Sequence, residues 1–221
     1  MVWVRSHFRP LEAFAYKFAC DPRHNPTINA GQHRACDAIC HHSKQMVQPA
    51  SMRPQVELSL ATIEERLALS NLYQLYVHDF TDFIAMELGR DGRFVYDPLP
   101  SYWTEPNRFP HFISADGQLV GFSLVKKGAD FSGDSQIWDM AEFFVIRGAR
   151  RRGIGYSAAV QTWERFPGPW EVRVMTTNEP ALQFWKRAIS RFKGETTEPV
   201  LVTKADETRW IFLFDSRSPT L

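Results

Sequence analysis

The sequence predicts a mixed α/β fold built on one sheet, and three features carry this prediction. Two apolar segments flank the dipeptide Asp116-Gly117, a pattern typical of an antiparallel hairpin. Strand-like residues 136–145 lead through an arginine- and glycine-rich turn into helix-compatible residues 156–166, and another strand-like run follows at 170–175. Strands that are joined by a helix run parallel, so the sheet should contain both antiparallel and parallel pairs.

The first half of this pattern begins with a half-buried strand, because Val56, Leu58 and Leu60 alternate with polar residues. Thr62 and Glu65 form a capping box that opens a helix, and the apolar spacing extends this helix to about residue 77. We expect a second short helix over residues 80–88. Residues 89–107, rich in glycine, proline and aromatic residues, predict a long irregular connection of the kind that often contributes to binding sites.

The second half continues with strands at 111–114, 119–126 and 136–145. The helix that follows the arginine turn must stop at Pro167-Gly168-Pro169. Thr177 or Asn178 caps the last helix, with Pro180 in its first turn. A final strand pair is expected at 199–203 and 209–214.

The turn after residue 146 has the composition of an anion site. Residues 147–152 include four arginines, and Gly153 and Gly155 open the next helix. Glycines allow close approach to the backbone, and the free N–H groups and dipole of a helix N-terminus attract negative charge. A phosphate or pyrophosphate is the expected ligand, and a solvated turn is the alternative. The glycine spacing matches neither a P-loop nor a dinucleotide-binding fingerprint.

Two spacings resemble one family. Arg150-x-x-Gly153-x-Gly155, with Val145 five residues earlier, resembles the acetyl-CoA-binding motif of the GNAT superfamily of N-acetyltransferases. Residues 178–186 resemble its later motif, matching at the asparagine, alanine, apolar and basic positions. The sequence departs at Trp185, where the family commonly has a tyrosine that protonates the departing thiolate, a role indole cannot fill. The resemblance covers roughly residues 53–215.

The resemblance implies an α+β fold with element order β-α-α-β-β-β-α-β-α-β-β. It implies a mixed, twisted sheet of six to seven strands flanked by helices and splayed between strands four and five. Residues 52–216 would form this domain. We expect residues 1–51 to be a dispensable, poorly ordered N-terminal extension and residues 217–221 to be a tail.

The resemblance also implies acetyl-CoA as co-substrate, bound in the gap between strands four and five. A strand edge would bond the pantetheine arm, and the arginine-glycine turn would hold the pyrophosphate. The residues assigned to cofactor binding are Phe143, Phe144, Val145, Arg150, Arg151, Arg152, Gly153, Ile154, Gly155, Ser157, Asn178, Phe184 and Trp185. Plain core packing is the alternative for Phe184 and Trp185.

Acetyl transfer to an amine needs a base, and Asp139 and Glu142 are the candidates on the fourth strand. The apolar run around Glu142 suggests burial and a raised pKa, which favours Glu142. Strand alternation places the two carboxylates on opposite faces unless a bulge intervenes. A structural carboxylate paired with an arginine is the alternative role. None of the three cysteines lies in the matching region, so direct attack by the amine is expected.

The predicted function is therefore an N-acetyltransferase acting on an amine of a small molecule or peptide. A catalytically weak acyl-CoA-binding module is the alternative. A net charge of +1 argues against a nucleic-acid partner, although the arginine cluster suggests one. The family often dimerises, which allows a homodimer.

Three further expectations concern metal, membrane and location. Cys36 and Cys40 lie near His33, His41 and His42, but this spacing does not match a structural zinc site, so no metal is predicted. No apolar run is long enough to span a membrane. The N-terminus lacks a secretory pattern and the cysteine count is odd, which together favour the cytoplasm.

Overall fold

A computed structural model describes residues 53–95 and 98–217. The three cysteines, the histidines of the zinc alternative and the expected N-terminal extension lie outside these ranges, so the proposed domain division stays a prediction. Within the described part of the chain, no helix is long and apolar enough to cross a membrane.

One seven-stranded sheet forms the centre of the domain, in the order β1-β2-β3-β4-β5-β7-β6. Its strands are β1 (Val56–Leu60), β2 (Arg108–Ala115), β3 (Gln118–Lys127), β4 (Trp138–Val145), β5 (Pro169–Met175), β6 (Val200–Lys204) and β7 (Glu207–Asp215). The β4–β5 pair is parallel and all other neighbours are antiparallel. The mixed sheet predicted from the sequence is confirmed.

The β2–β3 hairpin turns at the predicted dipeptide. Asp116 and Gly117 both have positive φ angles, 52° and 76°. Such angles are those of the tight turns whose twist suits an antiparallel pair.

Helix α1 (Arg66–Phe80) begins after the predicted capping box, in which the Glu65 carboxylate accepts from the Thr62 N–H at 3.0 Å. Leu69, Tyr73 and Val77 are spaced four apart and buried, which fixes the face that packs on the sheet.

The second helix expected at 80–88 is wrong. A single turn of hydrogen bonds closes on the Phe80 carbonyl, from the N–H groups of Phe83 and Ile84, and the chain then leaves helical structure. Ile84 and Leu88 are exposed, so this segment has no buried stripe to stabilise a helix. The second helical element is instead one turn, α2 (Ser101–Thr104), inside the long connection.

The remaining helices follow the two predicted stop and start signals. Helix α3 (Ile154–Arg165) ends just before the Pro167-Gly168-Pro169 run. Helix α4 (Glu179–Lys193) is capped by Asn178, whose Oδ1 accepts from the Ala181 N–H at 3.1 Å.

The helices cover both faces of the sheet. On one face, α1 and α2 pack over aromatic residues of β3 and β4, including Phe122 and Phe144. On the other face, α3 and α4 pack over β5 and β7 around Trp163, Trp170 and Phe212, all of which are fully buried.

Strands β4 and β5 are in register over a short distance only. Their paired residues are Trp138 with Trp170 and Asp139 with Glu171. Beyond these pairs β5 bonds to β7, and the β4 segment from Ala141 to Val145 keeps β3 as its only strand neighbour in the described sheet. The predicted splay between strands four and five is therefore present.

Candidate functional site

A cleft of about 460 Å³ opens where β4 and β5 separate. One wall is aromatic and comes from α1 and α2, with Tyr76, Phe80 and Tyr102 among its residues. The opposite wall is charged and comes from β3, β5 and β7. The backbone and side chains of β4 lie between them.

Glu142 lies on β4 in this cleft and is half-buried. Its Oε2 accepts a short hydrogen bond from the Tyr76 hydroxyl, which α1 brings across the sheet. Burial raises the pKa of Glu142 to about 7, although the Tyr76 hydrogen bond and the cations Arg173 and Lys126 oppose this rise. A carboxyl group with this pKa can accept and release a proton near neutral pH.

Asp139 is fully buried and does not line the cleft. The Arg173 Nη2 lies 2.9 Å from its Oδ2, and the Lys126 Nζ lies 3.5 Å from the same oxygen. Burial raises the pKa of Asp139 to about 6, with a further contribution from nearby Asp130 and Glu171. This environment matches the structural carboxylate that the sequence analysis kept as an alternative.

A β-bulge intervenes between Asp139 and Glu142, so the two carboxylates do not lie on opposite faces. Met140 pairs with Val125 and Glu142 pairs with Leu124, so Ala141 is an extra residue that forms a β-bulge. The bulge shifts the alternation by one position and returns both carboxylates to the face covered by α1.

The edge of β4 that faces the gap has no strand partner beyond Asp139 in the described sheet. The Ile146 N–H donates to the Val120 carbonyl of β3 at 2.9 Å. Because strand residues alternate, the polar backbone groups of Val145 and Phe143 point away from β3, into the gap. Those of Phe144 point toward β3, and its side chain is buried against Tyr76.

The arginine-glycine turn leads directly into α3. Gly153 has a φ of 83°, a conformation that favours glycine. The Ser157 N–H donates to the Gly153 carbonyl at 3.0 Å, and no side chain of the described residues caps the helix. The N–H groups of Gly153, Ile154 and Gly155 thus precede the first intrahelical bond. The Ile154 side chain is buried, so only its backbone is available to a ligand.

The arginines of the turn differ in their contacts. Arg150 Nε donates to the Val145 carbonyl at 2.7 Å, and its Nη2 bonds the Asp79 carboxylate. The Arg152 Nη2 lies 3.7 Å from the Asp116 Oδ2. Arg151 is exposed, with a φ of 63°, and forms no ion pair with any residue in the described ranges.

The N-terminal turns of α4 approach the same gap. Asn178 and Trp185 line the cleft, whereas Phe184 stacks on Phe143 with ring centroids 6.0 Å apart. A Cβ atom on Gly155 would lie 3.2 Å from Phe184, so glycine allows α3 and α4 to approach closely here. Ser157 is half-buried on α3 and accepts from Gln161 at 3.3 Å.

The structure adds site residues that the sequence analysis missed. Arg173, Lys126 and Asp79 carry no motif, although the polar positions 171 and 173 in an otherwise apolar strand are a recognisable signal. Four aromatic residues of the described helices also line the cleft, namely Tyr73, Tyr76, Phe80 and Tyr102, whereas Phe83 and Trp103 do not.

Solved structures with this fold include several acetyltransferases. An acetyltransferase from Thermus thermophilus is 16% identical over 75% of this chain and 99% of that chain, with a TM-score of 0.54. The aminoglycoside acetyltransferase AAC(6')-Ib, solved with coenzyme A and kanamycin, is 13% identical over 74% and 96%, with a TM-score of 0.54. The GNAT domain of PAT from S. lividans is 13% identical over 75% and 96%, with a TM-score of 0.51.

None of the curated proteins compared with this sequence is a match. The profile of the acetyltransferase (GNAT) family matches residues 69–189, more than half of the 221 residues. The matched span contains the open β4 edge, the arginine-glycine turn and the start of α4. The chain therefore belongs to the acetyltransferase (GNAT) family.

Proposed function

We propose that this protein is an acyltransferase that moves an acetyl group from acetyl-CoA to an amine of a small molecule or peptide. The observation that carries the proposal is the position of Glu142. This carboxyl group, with its pKa raised to about 7, lies in a cleft beside an unpaired strand edge and near a helix N-terminus. A base, an edge for the thioester arm and an anion site are the three parts that the reaction needs.

The described residues fit acetyl-CoA in chemistry. The backbone groups of Phe143 and the Val145 N–H face the gap and can pair with the amide groups of the pantetheine arm, as an added strand would. The Val145 carbonyl already accepts from Arg150. The N–H groups at Gly153, Ile154 and Gly155 offer donors to a pyrophosphate. Arg151 and Arg152, both exposed, can add charge-assisted contacts, and the Ser157 hydroxyl is one turn further along.

Three further residues support the arm at the start of α4. Asn178 uses its Oδ1 to cap α4, which leaves its Nδ2 as a donor toward the cleft. Trp185 supplies an apolar surface there. Phe184 acts through Phe143, on which it stacks.

Bound acetyl-CoA would supply an activated acetyl carbonyl, and the protein's part is to deprotonate the amine. An alkylammonium group has a pKa near ~10.4, so about one molecule in a few thousand is neutral at pH 7. Glu142 takes the proton directly or through water. The amine nitrogen attacks the carbonyl carbon, a C–N bond forms, the C–S bond breaks, the thiolate leaves and the nitrogen loses its second proton to water. Asp139 forms an ion pair with Arg173 and thereby helps to keep this cation near Glu142.

Protonation of the thiolate has no donor on α4, because its sequence contains no tyrosine and Trp185 cannot supply a proton. Water or protonated Glu142 fills this role in our proposal. The proton-accepting position of Glu142 favours an enzyme over a binding module. A homodimer and a cytoplasmic location stay predictions.

The test combines binding and turnover. Calorimetric titration with acetyl-CoA should show saturable binding that an Arg150→Ala/Gly153→Asp double variant loses. Release of free CoA thiol in the presence of a panel of amines should fall by about 10²–10⁴-fold in Glu142→Gln, with little change in acetyl-CoA affinity. A well-folded wild type that binds no acetyl-CoA would refute the proposal, and binding without thiol release for any amine would support the binding module.

A further inference from the structure

We propose that Tyr76 is a positioning residue for Glu142: its hydroxyl holds Oε2 and thereby presents Oε1 to the acceptor amine. This inference rests on the proposed function, because it assigns a role within the same site. It does not follow from either motif, since Tyr76 lies on α1, outside both. The pair joins α1 to β4, the strand that carries the base.

Packing holds the Tyr76 ring in place. Among the described residues, four aromatic rings contact it, two from α1 itself and two from the sheet. The ring centroids lie 5.4 Å from Tyr73, 4.6 Å from Phe80, 5.6 Å from Phe122 and 5.8 Å from Phe144. A phenylalanine would keep all four contacts, so the hydroxyl is the group that the pairing with Glu142 adds.

The β-bulge makes this pairing possible. Glu142 lies on the same face as Phe144, two residues along β4, and Tyr76 contacts Phe144 edge-on. Without the extra residue at Ala141, Asp139 would lie on the opposite face of the sheet from Glu142. Asp139 and the two cations that it pairs with, Lys126 and Arg173, would then be separated by the sheet from Glu142 or from each other. The bulge thus places Glu142 between the aromatic wall and the charged wall of the cleft.

Charged and titratable groups reach Glu142 from every element around it. They are Tyr76 on α1, Tyr102 on α2, Lys126 on β3, Asp139 on β4 and Arg173 on β5. Burial and Asp139 favour the protonated carboxyl, whereas Tyr76, Arg173 and Lys126 favour the carboxylate. The hydroxyl of Tyr76 therefore has two effects, orienting the carboxylate and keeping it ionised near neutral pH.

The proton balance of the step is simple. One proton of the acceptor ammonium passes to Oε1 of Glu142 before the C–N bond forms, and the nitrogen loses its second proton to water as that bond forms. The Tyr76 phenol keeps its own proton throughout and donates to Oε2. Protonated Glu142 then loses the proton to water or to the departing thiolate, which restores the carboxylate.

The Tyr76→Phe variant tests the pairing without any substrate. Infrared difference spectroscopy follows the C=O stretch of the protonated carboxyl during a pH titration, and the band missing in Glu142→Gln identifies Glu142. We expect the midpoint to rise by about one pH unit in Tyr76→Phe, because the carboxylate loses a hydrogen-bond donor. Tyr156→Phe on α3 is the matched control and should leave the midpoint unchanged.

Kinetics supply the second readout. In Tyr76→Phe the acid limb of kcat should move to higher pH by the same interval, so kcat falls about fivefold at pH 7 and approaches wild type near pH 9. Acetyl-CoA affinity should not change.

An unchanged carboxyl midpoint would overturn the inference, as would a loss of kcat equal at all pH values. If no amine supports turnover, the proposed function fails while the infrared titration still decides whether Tyr76 controls Glu142. Where Glu142→Gln does not fold, the shift of the kinetic limb decides.

Discussion

The guanidinium of Arg150 bonds to Asp79 in the last turn of α1. The same side chain donates to the Val145 carbonyl at 2.7 Å, at the end of the open strand edge. Asp79 also accepts from Arg147 at 2.9 Å, so one carboxylate ties two arginines of the turn to the helix. In this arrangement Arg150 shapes the turn, and the exposed Arg151 and Arg152 are the side chains directed to solvent.

Asp79→Asn should weaken acetyl-CoA binding about tenfold, because the turn that presents the α3 N–H groups loses its anchor. The unfolding free energy should change by less than about 1 kcal/mol, since the arginine side chains of both ion pairs are exposed. Calorimetric titration and urea unfolding measure the two effects.

Asp82→Asn is the matched control for this variant. Asp82 is exposed and bonds only to Arg147 among the described arginines, at 3.2 Å. It should change neither affinity nor stability. Equal affinities in the two variants would mean that Asp79 does not organise the turn.

Gly155→Val should reduce acetyl-CoA affinity more than tenfold with the fold retained. A Cβ at this position already lies 3.2 Å and 3.3 Å from the end of the Phe184 ring, and two further methyl groups would displace that ring from Phe143. The measurement is again calorimetric titration, with near-UV circular dichroism as the test of folding.

Gly148→Val in the same turn is the comparison. No atom lies within 4 Å of its ideal Cβ position, so added bulk meets open space. Its affinity should match that of the wild type. If Gly155→Val also binds normally, the close approach of α3 and α4 has no part in the cofactor site.

Local patterns predicted most of the sheet and the long helices, because alternation, capping and glycine-proline stops act over a few residues. The Asp116-Gly117 hairpin and the Asn178 cap are examples of such signals. The extra helix at 80–88 was wrong because Ile84 and Leu88 are exposed and leave the segment without a continuous buried stripe, which a local pattern does not reveal.

The site was predictable in part for the same reason. The turn at 150–155 and Glu142 lie on contiguous motifs. The bulge at Ala141 depends on how β4 pairs with β3, and the Tyr76–Glu142 bond joins residues 66 positions apart. Such contacts follow from the register of the sheet and the placement of α1, which single-sequence patterns do not specify.

A chain that begins at Met52 should fold and bind acetyl-CoA with the affinity of the full chain. The residues named in the proposed site all follow Met52 in the chain, beginning with Tyr76 on α1. Urea unfolding and calorimetric titration of both chains test this. A shorter chain that is insoluble or binds more weakly would show that the extension is required.

His111 should make the stability of the fold depend on pH between about 4 and 6.5. The imidazole is 2% exposed on β2, packs on Phe166 and has its Nδ1 3.2 Å from the Phe109 carbonyl. Burial, with the nearby charge of Arg165, lowers the pKa of His111 to about 4.

Below pH 6.5 the unfolded chain therefore binds a proton at this histidine that the folded protein does not. The unfolding free energy contributed by His111 falls as the pH decreases from about 6.5 to 4, by on the order of 3 kcal/mol in total. Glu142 and Asp139 act in the opposite direction, because their pKa values are raised on folding. A comparison of variants is needed to separate these contributions.

His111→Phe keeps an apolar ring and removes the titration, so the difference in unfolding free energy between variant and wild type should grow in favour of the variant as the pH falls. Urea unfolding at intervals between pH 4 and pH 8 measures this difference. His78→Gln, at an exposed position on α1, is the control. A difference for His111→Phe that stays constant across this range would show that the buried imidazole does not couple folding to pH.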